Sequence, residues 1–364
     1  MERCVVEMNS HLVKNNYGSF VLTTNGILIP KIKLNGGNVL LLDVKTKNPI
    51  KMFINIFRIK NILIKNKIDL VDVVSRAPAW SVYFACKSLG IPLVTTVHGN
   101  YSVGRYSFFK RKYNSSMFLG DAVICVSNFI KNSALEKYNI FKKKYYESKV
   151  FVVPRGCDTE QFNRESVSNN RIINIVDTLN IPNDKQILLL PGRFADWKGQ
   201  LYFLDVLKKI ENKNYICCMV GSTKNKKYVN KVFERVRKYK IDLFVRIVDS
   251  VRDMPALYNV ADVVVSSSIR GEAFGMVTLE AQSMNKIVVA TKHGGTMETI
   301  DDGKTGFLVN PKNIEEFAKI IDNILVMPKE EKEKIGENAR RSVINNFSIQ
   351  KMCENTMNVY KKFL

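Results

Sequence analysis

From about Gly18 onward, short apolar runs rich in β-branched residues alternate with longer stretches whose apolar positions recur at helical spacing. The runs Phe20–Thr23, Val39–Val44, Leu70–Val74, Leu93–Thr96, Ala122–Val126 and Val150–Val153 predict strands, with helices over Ile50–Lys65, Ala79–Leu89 and Asn128–Lys137. Strands separated by helix-length connections pair in parallel, since a parallel crossover needs that much chain. A polar segment, Cys157–Asn170, interrupts the rhythm. It restarts with strands at Ile187–Leu190, Ile216–Val220, Phe244–Val248, Val263–Ser266 and Ile287–Ala290, each followed by a helical pattern. Two doubly wound α/β halves are the expectation. The stretch Pro328–Leu364 reads as helix throughout, with Phe347, Met352, Met357, Tyr360 and Phe363 spaced to pack inward.

Length and composition agree with this outline. A chain of 364 residues is longer than one core usually supports, and 46% hydrophobic with 25% charged residues is the make-up of a globular protein in water. No apolar run approaches the roughly 18 residues of a membrane span: even Met52–Ile64 is broken by Asn55, Arg58, Lys60 and Asn61. The opening Met1-Glu-Arg-Cys-Val-Val-Glu lacks a secretory pattern, so a cytoplasmic location is expected. Seven scattered cysteines, with no C-x-x-C, read as reduced core residues and not as a metal or disulfide framework. The adjacent Cys217 and Cys218 would point to opposite faces of a strand.

The net charge of +22 asks for an anionic partner, and through residue 170 there are 25 Lys+Arg against 11 Asp+Glu. A membrane surface, nucleic acid or a phosphorylated substrate would each be attracted. Basic and aromatic residues interleave over Tyr101–Tyr113 and again over Phe141–Tyr146, a pattern suited to docking on an anionic leaflet. A nucleic-acid-binding protein is an alternative on charge alone; no RNA- or DNA-binding motif accompanies it, and no nucleic-acid partner is expected.

The chemistry sits in the loops that follow strands, where open parallel sheets bind ligands. After Ile187–Leu190 comes Pro191-Gly-Arg-Phe-Ala-Asp-Trp-Lys-Gly-Gln200, which puts Arg193 and Lys198 in one strand-to-helix loop. Paired cations suit a diphosphate, whose charges cannot be buried alone. Ile216–Val220 ends in Gly221-Ser222, and Ile287–Ala290 leads into Thr291-Lys-His-Gly-Gly-Thr-Met-Glu298. Between them Gly271-Glu-Ala-Phe-Gly-Met-Val-Thr-Leu-Glu280 sets Glu272 and Glu280 on either side of a glycine turn that opens a helix. The first turn of that helix offers unpaired N–H groups to an anion, and the two carboxylates can accept from hydroxyls at opposite ends of one ligand.

In this order the motifs resemble the retaining glycosyltransferases of family 4, which adopt the GT-B fold and serve bacterial lipopolysaccharide and cell-surface polysaccharide synthesis. The resemblance rests on Gly192-Arg193 with Trp197-Lys198-Gly199, Val220-Gly221, the Glu-x7-Glu spacing of Glu272 and Glu280, Gly294-Gly295 with Glu298, Asp302-Gly303 with Thr305-Gly306, and upstream Pro154–Phe162. It covers nearly the whole chain. It implies two Rossmann-like domains facing a cleft: an acceptor-binding domain over residues 1–155, a nucleotide-sugar domain over 156–345, and a terminal helix over 346–364 packing back on the first.

Carried over by position, the resemblance implies that Arg193 and Lys198 hold the diphosphate of a UDP- or GDP-sugar and that Glu280 accepts from the ribose. Glu272 would contact the transferred sugar, with Gly192, Gly221, Phe274, Gly275, Met276 and Val277 around donor and phosphates, and Asp249–Met254 against the base. His98, after Leu93–Thr96, would face the sugar and acceptor; His293 either lines the donor site or fills its turn. The implied reaction retains the anomeric configuration by front-face displacement and ends on a glycan or glycolipid acceptor. No Asp-x-Asp occurs in the chain, so no metal or other cofactor is expected. A GT-B nucleotide-sugar epimerase shares the architecture and is the alternative enzyme. The cationic first half suggests a protein peripheral to the inner face of the cell membrane.

One departure stands out. The family opens with a strand and a Gly-Gly loop ahead of its first helix, whereas the first residues here read as that helix. Gly36-Gly37 precedes a strand and does not replace the loop. A form extended upstream is therefore expected to be more soluble and more active.

Overall fold

A computed structural model describes residues 2–46, 48–101, 108–138, 148–182 and 184–364. Part of the first basic and aromatic stretch (102–107) and the whole of the second (141–146) lie outside the described residues. The chain divides into two units, Met1–Gly156 with Ile349–Leu364, and Cys157–Ser348.

The first unit begins α1 (Glu2–Lys14), β1 (Phe20–Thr23), α2 (Ile29–Leu34), β2 (Asn38–Leu41), α3 (Pro49–Lys65), β3 (Val71–Val73) and α4 (Arg76–Leu89). It continues with β4 (Leu93–Val97), α5 (Phe108–Ser115), β5 (Ala122–Cys125), α6 (Asn128–Lys137) and β6 (Val150–Val152). The second unit runs α7 (Asn169–Leu179), β7 (Gln186–Pro191), α8 (Gln200–Leu207), β8 (Tyr215–Val220), α9 (Lys226–Tyr239), β9 (Val245–Val248), α10 (Met254–Val260) and β10 (Val263–Ser266). Then follow α11 (Met276–Ser283), β11 (Ile287–Thr291), β12 (Phe307–Val309), α12 (Ile314–Val326) and α13 (Lys329–Phe347). Helix α14 (Ile349–Tyr360) returns to the first unit.

In the second unit all six strands join one parallel sheet in the order β12-β11-β10-β7-β8-β9. Every residue of β8, β10 and β11 is buried, which is what unbroken runs such as Ile287-Val-Val-Ala-Thr demand when helices cover both faces. Leu188, Phe203, Tyr215, Val265 and Phe317 lie at the heart of the core on one face.

The first unit is built differently. Its strands form two parallel sheets, β1-β2 and β3-β4-β5-β6. The first pairs Phe20 with Asn38 through Thr23 with Leu41, and the second is centred on the wholly buried β4. Met352, Met357 and Tyr360 of α14 pack with Val94 and Ile124 of the larger sheet. Among the described residues β1 pairs only with β2, and β3 only with β4. Val21 and Leu22 of β1 and Val71 and Val73 of β3 line a common cleft of about 2070 Å³, walled also by Met52 and Ile59 of α3.

Two expectations are corrected, and one strand appears that the pattern did not predict. The stretch Pro328–Leu364 is two helices and not one: α13 and α14 are separated by Ser348, whose extended backbone (ψ 156) forms a bridge with Cys157. The amide of Cys157 donates to the Phe347 carbonyl at 2.7 Å, so the break satisfies a helix-end acceptor that a continuous helix would have used itself. Strand β2 stops at Leu41, short of Val44, and β12 carried no periodic signal because three residues are too few to show one.

Candidate functional site

In the second unit the loops after β7, β8, β9, β10 and β11 all emerge at the carboxyl edge of one sheet. Because β7 and β10 are neighbours in that sheet, loops about 70 residues apart in sequence are stitched together there. The Ile269 amide donates to the Trp197 carbonyl at 2.9 Å, and Ser267 Oγ to the carbonyls of Lys198 and Gly199, each at 3.2 Å. Next door, Glu272 bridges to Gly294, and the Gly295 amide donates to the Glu272 carbonyl at 2.8 Å. The loop after β8 is held as closely: a Cβ on Gly221 would sit 2.0 Å from the Gly192 carbonyl oxygen.

This stitching places Lys198 Nζ 2.7 Å from Glu272 Oε1, with side chains only 13% and 10% exposed. Ser268 Oγ donates to the same carboxylate oxygen, and the Lys198 ammonium lies 4.6 Å from the Trp197 ring centroid. Burial acts to raise the Glu272 carboxyl, and the Lys198 ammonium and the Ser268 hydroxyl outweigh it, so the group lies below its ordinary value. Glu272 is thus ionised at neutral pH. Its Oε1 is occupied by protein donors, while its Oε2 has none among the described residues. Lysine carries three N–H donors, so Lys198 keeps two beyond its bond to Glu272.

Gly275 caps α11 with φ +95, a left-handed turn that side chains rarely adopt. Phe274 is buried against Phe347, ring centroids 5.8 Å apart, so this residue offers a ligand only its backbone; Met276 and Val277 are half-buried in the first turn. On the same helix Glu280 accepts from the buried Tyr258 hydroxyl at 2.9 Å. Burial, reinforced by the Glu280 charge, drives the Tyr258 hydroxyl well above its usual range, keeping it a donor.

Arg193 is exposed, its carbonyl accepting from Gln200 Nε2 at 3.1 Å, and its guanidinium makes no ion pair among the described residues. Asp249 lies after β9 and joins that loop to the one after β8, accepting from the amides of Ser250 (2.7 Å) and Thr223 (3.2 Å). Met254 begins α10, whose cap, Asp253, is paired with Arg171 at 2.7 Å. Gly192, Arg193, Lys198, Gly221, Met254, Glu272, Phe274, Gly275, Met276, Val277 and Glu280 therefore share the strand-end loops of one sheet and the helices they open.

His98 belongs to the other unit. It follows β4, and both of its ring nitrogens are buried without a hydrogen-bond partner, as is Nε of Arg155 after β6. Burial, with the nearby Arg155 charge adding to it, lowers the His98 imidazole to about 3, so the ring is neutral at physiological pH. His293 is better placed than its sequence context shows: both ring nitrogens are buried and unpartnered, and its charge, when present, acts on Glu272. Ser268 and Tyr258 escaped sequence reasoning, since nothing local distinguishes a serine or tyrosine that meets a glutamate from one that does not. Among the described residues no cluster of His, Cys, Asp or Glu is arranged to hold a metal ion.

Residues 172–342 match the family "Glycosyl transferases group 1", and residues 1–161 match "Glycosyltransferase Family 4". The crystal structure of a glycosyltransferase from Rickettsia africae ESF-5 is 33% identical with a TM-score of 0.90, over 100% of this chain and 94% of that one. Anabaena HepE, solved in complex with UDP-glucose, shares the fold at a TM-score of 0.82 and 20% identity, over 99% of this chain and 95% of its own. The lipopolysaccharide 1,2-N-acetylglucosaminetransferase of Salmonella typhimurium is 31% identical over 59% of this chain, and the match spans only 58% of that relative's length.

Proposed function

We propose that this chain, which belongs to the group 1 glycosyltransferases of the GT-B fold, moves a sugar from a nucleotide-diphosphate donor to a saccharide or lipid-linked acceptor in cell-envelope glycan synthesis, retaining the anomeric configuration. The observation that carries this reading is the buried Lys198–Glu272 pair beside the amino end of α11. It provides an ionised carboxylate with an open oxygen for sugar hydroxyls and, next to it, a pinned cation with N–H groups to spare.

In the proposed reaction the bond from the anomeric carbon to the distal phosphate oxygen breaks as a bond forms to the acceptor oxygen on the same face. The acceptor hydroxyl's proton passes to the departing phosphate. Lys198, the exposed Arg193 and the α11 amides stabilise the charge growing on that phosphate, and groups already ordered before the reaction need no reorganisation to do so. These cations carry the role a divalent ion would have, so chelation with EDTA is expected to leave turnover unchanged. Glu280, steadied by Tyr258, takes the ribose hydroxyls. His98, neutral and with unpartnered nitrogens, acts as a hydrogen-bonding group toward sugar and acceptor and not as a fixed charge. The Salmonella and Anabaena relatives support sugar nucleotides and envelope glycans as the substrate classes.

Thermal-shift screening against UDP, GDP and ADP sugars tests the donor site. A ligand at one hundred times its dissociation constant should stabilise the protein by roughly 2.7 kcal/mol. No shift with any nucleotide would overturn the reading, and a product with inverted anomeric configuration would overturn the mechanism.

A further inference from the structure

The first unit gathers cations and unpartnered polar groups at one edge of its larger sheet. Arg76 follows β3, His98 follows β4 and Arg155 follows β6, so three loops bring these side chains to the carboxyl ends of parallel strands, where open sheets take ligands. All three line the first unit's cleft, together with Lys110 and Lys112 of α5.

Each side chain is placed with donors left over. Arg76 Nη1 donates to Asn114 Oδ1 at 3.0 Å, and its guanidinium lies 4.5 Å from the centroid of the Tyr101 ring. Four of its five N–H donors remain, and it makes no ion pair among the described residues. The loop after β4 is pinned from behind: Ser133 Oγ of α6 donates to Asn100 Oδ1 at 3.1 Å, and the Tyr138 hydroxyl to the Tyr101 carbonyl at 3.4 Å. That loop carries His98, both of whose ring nitrogens are buried without a partner. The charge of Arg155 acts on the His98 ring, and Arg155 Nε is itself buried and unpartnered. Helix α4 opens on the same cleft, and its cap, Ser75, makes no side-chain capping bond to the first-turn amides.

The carboxylates on the cleft do not neutralise this edge. Asp72 is engaged by Thr96 and the Tyr360 hydroxyl, and Asp69 lies before β3, at the other end of the strand. Glu2, at the start of α1, pairs with no cation among the described residues. Withdrawing a guanidinium from water without a partner is costly, and a bound anion offsets that cost. The planar fork of arginine matches the oxygens of a phosphate.

We propose that Arg76, His98 and Arg155 form a phosphate-binding site for the acceptor, which is therefore a phosphate- or diphosphate-bearing molecule. This deepens the glycosyl-transfer reading and rests on it: that reading gives the donor diphosphate to Arg193 and Lys198 of the second unit, so a second phosphate site falls to the other substrate. The two arginines would neutralise the phosphate, and the uncharged imidazole would donate one N–H to it.

Isothermal titration of the full chain with inorganic pyrophosphate, in the presence of saturating UDP, tests this. UDP fills the donor site, so the binding that remains reports the first unit. One site is expected, weakened at least about tenfold in Arg76→Gln and in Arg155→Gln. Arg111→Gln, which removes an α5 cation outside the cleft lining, should bind like the wild type. Arg155→Gln should also melt no lower than the wild type, because Arg155 donates no hydrogen bond among the described residues, so it stays informative should Arg76→Gln fail to fold. Loss of all pyrophosphate binding to UDP would overturn the proposal, since the first-unit cations would then hold donor phosphate. So would equal weakening in all three variants, the mark of a diffuse field, or weakening in none. UDP thermal shifts on the same samples keep the two readings apart. A UDP shift without any pyrophosphate site sinks the acceptor site alone; pyrophosphate binding that Arg155→Gln removes, with no UDP shift, sinks the donor reading and leaves the phosphate site standing.

Discussion

The two units use the same βα grammar and reach opposite degrees of closure. In the unit spanning Cys157–Ser348 one sheet takes up all six strands, and its strand-end loops are tied to one another by backbone bonds before any ligand arrives. In the unit containing Met1–Gly156 the strands fall into two sheets, a cleft is lined by the edge strands β1 and β3, and His98 and Arg155 keep buried nitrogens without partners. The difference teaches that a polar site can be assembled by the fold itself when adjacent strands deliver its loops. An unclosed sheet leaves polar groups waiting for what completes it.

The sharpest test is Lys198→Ala. It strips the buried Glu272 carboxylate of its cation and, in the proposed reaction, removes a charge from beside the leaving phosphate. We expect kcat/KM to fall about 10²–10³-fold and the melting temperature to drop as well, because an unpaired buried carboxylate costs on the order of 3 kcal/mol. Activity within tenfold of wild type would break the assignment of the site to this unit.

A matched glycine pair compares the closeness of the two units directly. At Gly199 (φ +74) a Cβ would lie 1.9 Å from the Ser267 carbonyl oxygen, whereas at Gly90 (φ +69), which ends α4, it would meet nothing within 4 Å. Both alanines bear the strain of a left-handed backbone, about 1 kcal/mol, and only Gly199→Ala must also push two loops apart. It should cost on the order of 3 kcal/mol or more in denaturant unfolding, with Gly90→Ala near the lower figure. Equal losses would show the loops of the second unit to be looser than drawn.

The open edges can be tested by addition. An apolar strand and glycine loop fused ahead of Glu2, positioned to pair with β1 and β3, should raise the stability of the first unit by on the order of a few kcal/mol, since burial of its side chains exceeds the cost of ordering it. A larger denaturant m-value should accompany it. Identical unfolding curves with and without the segment would argue that the cleft is no strand site.

The smallest expected effect concerns Asp72, on the β3 wall of that cleft. Burial raises its carboxyl from 3.8 to about 6, against the hydrogen bonds donated by the Tyr360 hydroxyl (2.7 Å) and Thr96 Oγ1 (2.9 Å). Because the folded state holds this proton more tightly than the unfolded chain, wild-type stability should fall as pH climbs from about 4 through 6 and then level off. Asp72→Asn should abolish that slope, matching wild type near pH 4 and exceeding it near pH 7 by on the order of 2 kcal/mol. Parallel stability curves would show that Asp72 is not held as the structure places it.

Much of this architecture was legible along the chain. Strands buried on both faces announce themselves as unbroken β-branched runs, and the spacing of Glu272 and Glu280 about Gly275 marks a strand-to-helix turn without reference to anything distant. Other features were not. The break at Ser348 depends on a bridge to Cys157, and Tyr258 reaches Glu280 only because α10 and α11 flank neighbouring positions in the folded unit. The outward turn of Ile50, Ile54 and Phe57 was hidden for a related reason: periodicity reveals that α3 has two faces but not which one the core takes, and here the buried face includes Asn55, whose amide donates to the Asp43 carbonyl at 2.9 Å.

The sequence by itself determined the βα alternation, the two-unit division in outline and the order of the motifs, because each follows from local periodicity and turn chemistry. The tertiary structure alone decided that Lys198 would meet Glu272, that His293 would sit by it, and that β1 and β3 would face a cleft. Those outcomes depend on which strands lie side by side, and strand order is a property of the whole sheet that no stretch of sequence carries.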